Sequence, residues 1–430
     1  MKKVLIITYY WPPAGGPGVQ RWLKFVKYLP EFGVEPVVYI PENPTYPLTD
    51  KSLASEVPEN SKIVQKRIFE PYSLAKIFSK KNTETISSGI IAKEGKQNFL
   101  QKMMLYIRGN FFIPDARKFW IKPSVKFLKR FLKEQQITTI ITTGPPHSLH
   151  LIGLQLKKDL NINWYADFRD PWTQIGYHDK LRLSKSSQKK HLALEKEVLN
   201  TADHIITTSF TTRAEFQKKT TRPVTVITNG FDLKTAENDV QLDKKFTFSH
   251  IGSLLSGRNP ENLWKCLEEL ISENKEFAND FRLNLIGAVS EDVLDSIKFA
   301  GLEKHLRLQK YVPHAEAIEL QRRSQVLLLI EIDSQETKGI IPGKVFEYMA
   351  AKRPILALGP AEWDICQILD ETLAGTFFRY SEEKELKSHI LKLYSQFKEG
   401  RLEVESRNIQ NYHRKALTAN LAKLLKQTWL

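Results

Sequence analysis

Two short segments in the second half of the chain combine the residue types that bind phosphates and sugars. Each follows an apolar run that is typical of a buried strand, FTFSHI for the first and QVLLLIEI for the second. The candidate residues are Gly252, Ser253 and Arg258 in the first segment and Gly343, Lys344 and Glu347 in the second. Glycine lets backbone N–H groups approach an anion, the two cations pair with phosphate oxygens, and a carboxylate accepts hydrogen bonds from sugar hydroxyls. The segments therefore predict a site for a diphosphate and a sugar.

Each of these assignments has a structural alternative. Arg258 precedes a helix and is also explained as a solvated side chain in a capping loop, while Lys344 and Glu347 are also explained as an exposed pair one helical turn apart. A lysine in the first turn of a helix opposes the helix dipole unless an anion lies nearby. That conflict favours the ligand interpretation of Lys344.

A third glycine-rich segment, PPAGGPG, joins the predicted strand KVLIITY to an amphipathic helix near the start of the chain. The backbone N–H groups of Gly15 and Gly16, together with the helix N-terminus, suit a phosphate or another part of a substrate. The alternative is a tight turn that needs glycine for its geometry alone. The sequence contains neither GxGxxG nor GxxxxGK[ST], which argues against dinucleotide and P-loop binding.

Charged and aromatic residues gather after the predicted strand INWYA. They are Asp167, Arg169, Asp170 and Trp172, with His147 after the preceding strand, TTIITT. Three charges beside a tryptophan are poor core material, so the sequence predicts an active-site rim. We expect Asp167, Asp170 and His147 to take part in catalysis and Arg169 and Trp172 to line the rim. A buried ion pair that holds the loop, and a structural histidine, are the alternatives.

Positive charge is concentrated in the first half of the chain. Residues 1–230 contain 36 Lys and Arg against 19 Asp and Glu, whereas the remainder contains 28 against 30. The segment 102–133 has nine basic residues, one acid and six interleaved Phe and Trp side chains. A surface that binds an anionic membrane is one explanation, and a helix with aromatic core residues is another. A nucleic-acid surface is less favoured, because no RNA- or DNA-binding motif accompanies the segment.

Strand and helix patterns alternate along the chain, and the alternation starts again near Lys245. Two such sets predict an α/β protein of two doubly wound units, with the boundary between Asn229 and Asp243. Because ligands bind at the carboxyl ends of parallel strands, we expect the site in a cleft between the units. The pattern also predicts a last helix over about 405–425 and a mobile loop at SKKNTETISSG.

Composition excludes several classes of protein. Apolar residues make up 41% and charged residues 26% of the 430 residues, as in ordinary globular enzymes. Two cysteines, Cys266 and Cys366, are too few for a disulfide scaffold and suit a reducing cytoplasm. No run approaches the roughly 18 apolar residues of a membrane-spanning helix. We expect a cytoplasmic protein that binds at most the inner face of the cell membrane.

Taken in order, these segments resemble a known family. The motifs YYWPPAGGPGVQRWLKFVKYL, TTGPPHSLHLIG, ADFRDPW, ITNGFD, IGSLLSGRNPENL and PGKVFEYMAAKRPILALG follow one another as in GT-B glycosyltransferases of the retaining family-4 type. The resemblance extends over nearly the whole chain. It implies two Rossmann-like doubly wound domains that face a central cleft, residues 1–230 and 231–409, with a C-terminal helix over about 410–430 packed on the first.

The resemblance also implies roles for individual residues. It places the acceptor mainly on the first domain, on the side of Arg169 and Trp172, and the nucleotide-sugar donor on the second. Glu347 corresponds to the glutamate that holds the nucleotide ribose, and Arg258 and Lys344 correspond to basic groups on the diphosphate. The donor-binding residues would be Gly15, Gly16, Gly252, Ser253, Arg258, Val312, Gly343, Lys344 and Glu347.

One position departs from the family pattern. Gly339 stands where a second glutamate is usual, eight residues before Glu347, and the nearest acid upstream is Glu336. The departure leaves the donor sugar open, because that glutamate ordinarily contacts it. No DxD pair is suitably placed for a metal.

The expected function is transfer of a sugar from a nucleotide-diphosphate sugar to a glycan or lipid-linked glycan in bacterial surface polysaccharide synthesis. Retention of configuration is implied by the resemblance alone. We expect no cofactor, no essential metal and no nucleic-acid partner, and an anionic membrane surface is the further candidate partner. A sugar-nucleotide epimerase of the same fold and a non-catalytic nucleotide-sugar-binding protein are the alternatives.

Overall fold

The computed structural model describes residues 1–70, 99–174, 181–232 and 240–427. The chain forms two compact units. Unit 1 comprises Met1–Asn229 and Arg414–Leu430, and unit 2 comprises Gly230–His413. The polar stretch 79–89, predicted as a mobile loop, lies outside the described residues.

Unit 1 is built on a parallel sheet of seven strands in the order β3-β2-β1-β4-β5-β6-β7. The strands are β1 Lys2–Ile7, β2 Val34–Pro41, β3 Lys62–Lys66, β4 Thr139–Gly144, β5 Asn163–Phe168, β6 His204–Thr207 and β7 Val224–Val226. The central strands β1 and β4 pair with Leu5 beside Ile140. These strands are buried on both faces, which explains their continuous apolar runs.

Helices cover both faces of this sheet. In the first segment of unit 1, Met1–Asn229, the described helices are α1 Pro17–Tyr28, α2 Phe99–Phe111, α3 Ile121–Glu134, α4 Ser148–Asp159, α5 Lys185–Thr201 and α6 Phe210–Gln217. Trp22 and Leu23 of α1 pack on one face, and Leu128 of α3, Ile152 of α4 and Val198 of α5 pack on the other. Helix α3 buries one stripe that includes Val125, Leu128 and Leu132, as the sequence periodicity predicts, whereas α1 and α4 are buried on more than one side.

Unit 2 contains a parallel sheet of six strands in the order β10-β9-β8-β11-β12-β13. The strands are β8 Phe246–Ile251, β9 Phe281–Ile286, β10 Leu306–Gln309, β11 Val326–Ile330, β12 Ile355–Gly359 and β13 Gly375–Arg379. Numbered from its own first strand, this order is 3-2-1-4-5-6, and the first six strands of unit 1 have the same order. Both units therefore have the strand order of a Rossmann-like sheet.

The described helices of unit 2 follow its strands in alternation. They are α7 Glu261–Glu273, α8 Lys275–Asp280, α9 Glu291–Phe299, α10 His314–Arg323, α11 Lys344–Ala350, α12 Asp364–Thr372 and α13 Glu383–Lys398. Phe246 and Phe248 of β8 share one apolar core with Leu267 of α7, Ile297 of α9 and Ile390 of α13. That core covers one face of the sheet.

The last helix, α14 Arg414–Gln427, belongs to unit 1. Leu421 is buried in the core beside α1, and the hydroxyl of Tyr165 donates to the carbonyl oxygen of Leu424 at 3.2 Å. Nη2 of Arg414 donates to Oε1 of Gln20 in α1 at 2.7 Å. None of the helices described here is long and apolar enough to cross a membrane.

Two elements differ from the sequence prediction. The last helix begins at Arg414 and not near residue 405, because Asn408 has a left-handed backbone with φ of 56° and Tyr412 is buried, its ring 5.7 Å from that of Phe346. Tertiary packing thus overrides the helical periodicity before it. Strand β3 has no recognisable strand pattern in the sequence, because most of its side chains are exposed and show no alternation.

The strand order creates one switch point in each sheet. The chain leaves β1 towards β2 on one side and later returns to β4 on the other, and β8 and β11 have the same relation. At such a point the two outgoing loops diverge and open a crevice at the carboxyl ends of the strands. Gly15 lies in the loop after β1, Gly252 directly follows β8, and Lys344 begins the helix after β11. The predicted ligand-binding segments therefore lie at the switch points.

Candidate functional site

Arg258, in the loop after β8, forms a bidentate ion pair with Glu331, the residue that follows β11. Nε of Arg258 donates to Oε1 at 2.9 Å, and Nη2 donates to Oε2 at 3.1 Å. Glu331 is 1% exposed, whereas Arg258 is half-buried. The pair fixes the plane of the guanidinium group and neutralises a carboxylate that would otherwise be buried alone.

Lys344, the first residue of α11, is held by a neutral histidine. Its Nζ lies 3.1 Å from Nε2 of His250, which is fully buried. Nδ1 of His250 lies 3.1 Å from the carbonyl oxygen of Leu328, which can only accept, so Nδ1 carries the proton and Nε2 accepts from the ammonium group. Burial and the ammonium group hold the pKa of His250 well below its usual range. The histidine therefore orients the lysine without sharing its charge.

The charge of Lys344 depends on its surroundings. Burial, assisted by Arg258, lowers the pKa of Lys344 to about 8, while Glu331 and Glu347 oppose that change. Gly252 has φ of +125°, and a Cβ there would lie 2.8 Å from Nζ of Lys344. The backbone conformation therefore favours glycine at this position, and a Cβ there would displace the end of the lysine side chain.

Glu347 lies one turn after Lys344 and has a buried partner. Nε2 of Gln321, a residue of α10 that is 2% exposed, donates to Oε2 of Glu347 at 3.0 Å. The next residue, Tyr348, anchors the helix to β8, because its hydroxyl accepts from the backbone N–H of Ile251 at 3.1 Å. One oxygen of Glu347 is thus fixed from within the unit.

The other predicted donor residues of unit 2 have separate surroundings. The carbonyl oxygen of Ser253 lies 3.4 Å from Nε2 of His250, and Gly343 directly precedes α11. Val312 is 8% exposed in the loop between β10 and α10. The predicted residues after β8 and β11 thus lie at one edge of the sheet. Val312 follows β10, which is two strands away from β8.

Asp167, at the end of β5, is fully buried in a hydrogen-bond network. Its Oδ1 accepts from Nη2 of Arg21 at 3.0 Å, and its Oδ2 accepts from Nε1 of Trp22 at 2.9 Å and from the hydroxyl of Thr143 at 2.8 Å. Arg21 also donates to the carbonyl oxygen of Thr228 at 2.7 Å. These bonds agree with the structural alternative, a buried ion pair that joins β4, β5 and α1, while the catalytic role of Asp167 stays a prediction.

Arg169 packs over the first turn of α1. Its Nε donates to the carbonyl oxygen of Gly144 at 3.3 Å, and its Nη2 donates to that of Pro145. A Cβ on Gly18 would lie 1.5 Å from Nη1, so glycine at that position makes room for the guanidinium group. Burial lowers the pKa of Arg169, and the exposed Asp170 beside it opposes this. The ends of β4 and β5 thus meet the start of α1 at this guanidinium group.

Trp172 is a core residue and not part of a rim. It is 1% exposed, its ring stacks on His147 with centroids 4.9 Å apart, and its Nε1 donates to Nδ1 of His191 at 3.1 Å. No face of the ring reaches solvent in this structure, so Trp172 does not line a rim here, and its predicted place on the acceptor side stays a prediction. His147 belongs to the same stack and is 5% exposed. A catalytic histidine must reach a substrate, so this burial does not favour the predicted role. Burial lowers the pKa of the neighbouring His150 to about 3.

Gly15 and Gly16 lie in a braced loop. The backbone N–H of Gly15 donates to the carbonyl oxygen of Leu48 at 3.0 Å, and that of Asp50 donates to Pro13 at 2.8 Å. Gly16 has φ of +105°, and a Cβ there would meet no atom within 4 Å. Gly16 is therefore required by its backbone conformation and leaves open space before the first turn of α1.

The basic segment 102–133 contains both buried and exposed aromatic side chains, as its two predicted explanations require. Trp120 is 1% exposed and packs in the core, whereas Phe111 is 64% exposed and Phe119 is 41% exposed. Nζ of Lys118 lies 5.2 Å from the centroid of the Phe119 ring. The segment therefore contributes to the core and also presents an aromatic surface beside positive charge.

Neither metal-binding nor reactive thiol chemistry is evident in the part of the chain that the structure describes. In that part, no group of three or more His, Cys, Asp and Glu side chains is arranged to hold a metal ion. Cys266 and Cys366 are free, and burial raises the pKa of each thiol to about 11.

Three polar residues of the site have no motif in the sequence that marks them: Glu331, His250 and Gln321. Each occupies a position where the pattern predicts an apolar strand or an ordinary helix. The available signal was a charged or polar residue at the end of a buried strand, which holds for Glu331 and His250. Their partners, however, could not be predicted from that signal.

Comparisons with known proteins agree with this architecture. Residues 89–235 match the model of Glycosyltransferase Family 4. Sucrose-phosphate synthase from Thermosynechococcus elongatus is 15% identical with a TM-score of 0.60, and the alignment covers 100% of this chain and 99% of that chain. The lipopolysaccharide outer core galactosyltransferase WaaB in its apo form is 13% identical with a TM-score of 0.59, and both chains are covered over 100%. No curated protein sequence matches the chain.

A further structure, Anabaena HepE in complex with UDP-glucose, is 12% identical with a TM-score of 0.58 and covers 99% of this chain and 100% of that chain. Likeness at such identities shows the fold, and here it extends over both units. The expected resemblance is thereby confirmed: the chain has the GT-B fold of two Rossmann-like units, and its residues 89–235 match the model of Glycosyltransferase Family 4.

Proposed function

We propose that this protein transfers a sugar from a nucleotide-diphosphate-sugar donor to a glycan or lipid-linked glycan acceptor in bacterial surface polysaccharide synthesis. The observation that carries the proposal is the convergence of Arg258, Lys344 and Glu347 where β8 and β11 end. Two cations suit a diphosphate, and a carboxylate suits a ribose diol. The UDP-glucose bound to HepE and the lipopolysaccharide outer core named for WaaB support the same classes of substrate.

The proposed mechanism stabilises the leaving group by fixed positive charge. Negative charge grows on the diphosphate as the glycosidic bond breaks, and preorganised cations stabilise it more in the transition state than in the ground state. Arg258 and Lys344 would supply that charge, so we expect no cofactor or essential metal to be needed. Glu347 would accept hydrogen bonds from the ribose while Gln321 holds its other oxygen. Retention of configuration remains a prediction from the family resemblance.

In this proposal unit 2 binds the donor and unit 1 binds the acceptor. The candidate acceptor residue of unit 1 is Arg169, with Asp170 beside it as a predicted catalytic residue, while Gly15 and Gly16 stay predicted donor contacts from the family resemblance. The excess positive charge of unit 1 suits an acceptor that carries phosphate, as a lipid-linked glycan does.

The proposal is tested with a panel of nucleotides and nucleotide sugars. Thermal unfolding is measured with UDP, GDP, ADP and dTDP, and hydrolysis is measured with the corresponding sugar derivatives. We expect one nucleoside diphosphate to raise the Tm by several degrees at saturation and its sugar derivative to be hydrolysed slowly. A chain that neither is stabilised by any nucleotide nor hydrolyses any derivative would contradict the proposal.

Gly339 favours one alternative, a nucleotide-sugar-binding protein without catalysis, because the family usually has a glutamate there. Stabilisation by a nucleotide sugar without hydrolysis or transfer would support that alternative. An epimerase would instead convert the sugar of the nucleotide in the absence of any acceptor. The same panel distinguishes the three functions.

Donor binding is expected to weaken above about pH 8. A diphosphate binds the charged form of Lys344 and raises its pKa, so affinity should fall up to about tenfold per pH unit above the pKa of the unliganded protein. The measurement is calorimetric titration with the nucleoside diphosphate chosen by the panel, between pH 7 and 9.5. Lys344→Arg stays charged throughout this range and should bind with constant affinity. Equal pH profiles for both proteins would exclude Lys344 as the titrating group.

Peripheral membrane binding follows from the proposal if the acceptor is lipid-linked. Exposed apolar side chains of unit 1 accompany the basic segment: Phe69, Met103, Tyr106, Ile107, Phe111 and Phe119. Lys122 and Lys126 are exposed in the same segment, and each such cation contributes about 1 kcal/mol near an anionic leaflet. Lys129 and Arg130 pair with Asp159 and Glu134 and are less suitable for the test.

We expect the protein to bind anionic vesicles at low salt, to dissociate at high salt and to bind neutral vesicles far less. Replacing Lys122 and Lys126 by glutamine should reduce vesicle binding without changing donor hydrolysis. Replacing Lys304 and Lys310, exposed residues of unit 2, changes the net charge equally and serves as the control. Co-sedimentation measures both. Failure of the wild-type protein to bind anionic vesicles at low salt would favour a soluble acceptor.

A further inference from the structure

Glu331 is a buried carboxylate that pairs with Arg258 in the candidate donor site. It is 1% exposed and directly follows β11, at the switch point of the sheet of unit 2. Burying a carboxylate is strongly unfavourable unless it is paired and hydrogen-bonded. The buried carboxylate of Glu331 therefore needs partners that offset this cost, and its hydrogen bonds provide them.

Both ends of Glu331 are anchored. Its Oε1 accepts from Nε of Arg258 and from the backbone N–H of Ile332, each at 2.9 Å, and its Oε2 accepts from Nη2 of Arg258 at 3.1 Å. Its backbone N–H donates to the carbonyl oxygen of Leu358, and its carbonyl oxygen accepts from the hydroxyl of Tyr380, each at 2.9 Å. The carboxylate is therefore held in one place and one orientation.

This geometry determines how Arg258 meets an anion. A guanidinium group is a planar fork, and pairing through Nε and Nη2 uses one of its edges. The remaining nitrogen, Nη1, is then directed away from Glu331 by the plane of the pair. An arginine held in this way does not have to be ordered when the transition state forms, in contrast to a solvated arginine.

The carboxylate also sets the charge of the site. Arg258 and Lys344 contribute two positive charges, and Glu331 and Glu347 contribute two negative ones. Removing the charge of Glu331 makes the site more attractive to a nucleoside diphosphate and at the same time releases the guanidinium group. Affinity and rate should therefore change in opposite directions, which a loss of general stability would not produce.

We propose that Glu331 is a positioning residue of sugar transfer: it holds the guanidinium group of Arg258 so that Nη1 faces the diphosphate leaving group. The inference rests on the proposed function, because it presupposes a diphosphate at this edge. Glu331 contacts no substrate in this role and acts through Arg258.

The test compares full-length wild-type protein with Glu331→Gln. The rate of single-turnover transfer or hydrolysis is measured with the nucleotide sugar that the panel selects. Affinity is measured by calorimetry with the nucleoside diphosphate of the same base, which is UDP, GDP, ADP or dTDP. Glu303→Gln makes the same chemical change at an exposed residue and is the control. We expect Glu331→Gln to lower the turnover rate at least tenfold, with the affinity retained or tightened and the control unchanged.

A second variant covers the case in which Glu331→Gln does not fold. Arg258→Lys keeps a cation against the carboxylate but has no fork, so the positioning role predicts the same combination of a tenfold slower turnover and retained affinity. Turnover within threefold of wild type in the variant that folds overturns the inference. So does a parallel loss of affinity and rate, since the site as a whole is then distorted.

The failure of the proposed function has a different signature. If wild-type protein neither binds nor hydrolyses any member of the panel, both the function and this inference are rejected. If wild-type protein is active and Glu331→Gln is equally active, the function stands and the positioning role is rejected.

Discussion

Replacing Arg258 by alanine is expected to slow sugar transfer about 100-fold, which is the loss typical of one preorganised donor to developing charge. The affinity for the nucleoside diphosphate should fall less, because the charge on the leaving group is greatest in the transition state. Steady-state kinetics together with calorimetric titration measure the two effects separately. A change in KM with an unaltered kcat would contradict the assignment.

The ion pair with Glu331 complicates that experiment in a predictable way. Arg258→Ala leaves a carboxylate that is 1% exposed without its cation, and breaking such a pair should cost about 3 kcal/mol, since the arginine itself is half-buried. The double variant Arg258→Ala with Glu331→Gln removes the unpaired charge. We expect it to regain most of the stability to urea and none of the transfer rate. Recovery of both would show that Arg258 acts on stability alone.

Replacing Glu347 by glutamine is expected to weaken the binding of a nucleoside diphosphate by about 1.5–3 kcal/mol, or roughly 10- to 140-fold. A ribose diol donates to an ionised carboxylate more strongly than to an amide. Gln321 donates to one oxygen of Glu347, so the new amide N–H groups would face the position where the ribose needs an acceptor. Calorimetric titration of the two proteins measures the difference.

Inorganic diphosphate provides the control for this prediction because it has no ribose. Its affinity should be the same for wild-type protein and for Glu347→Gln. A 2′-deoxy nucleoside diphosphate should bind wild-type protein more weakly than its ribose counterpart, and the substitution should reduce that difference. Unchanged affinity for every nucleoside diphosphate would exclude the ribose role of Glu347.

Local sequence was sufficient for most elements of both units. FTFSHI forms β8, and the helical periodicity of NPENLWKCLEELI forms α7, because each segment has one pattern of burial that suits one type of element. The glycine-rich segments were found at the ends of strands for the same local reason. The general fold, an alternating parallel α/β architecture in two sets, follows from the order of these elements.

Local sequence failed where a distant segment decides the outcome. Residues 405–413 have helical periodicity, but Tyr412 packs against Phe346 and the helix begins at Arg414. Asp167 and Trp172 have the composition of an active-site rim, yet Arg21 and Trp22 of α1 bond to the aspartate. The type of a charged or aromatic residue does not show whether its partner is a substrate or another part of the fold.

The candidate site shows the same division most clearly. The residue types Arg258, Lys344 and Glu347 and their places at strand ends were visible in the sequence, and they suffice to suggest a diphosphate and a ribose. The partners that orient them are far away in the chain: Glu331 is 73 residues from Arg258, His250 is 94 from Lys344, and Gln321 is 26 from Glu347. Hydrogen bonds over such separations leave no local pattern, since they arise when the sheet brings β8 beside β11 and packs α10 and α11 at the same edge. Residue chemistry is thus encoded locally, whereas the direction, charge balance and burial of each group depend on the order in which the strands assemble.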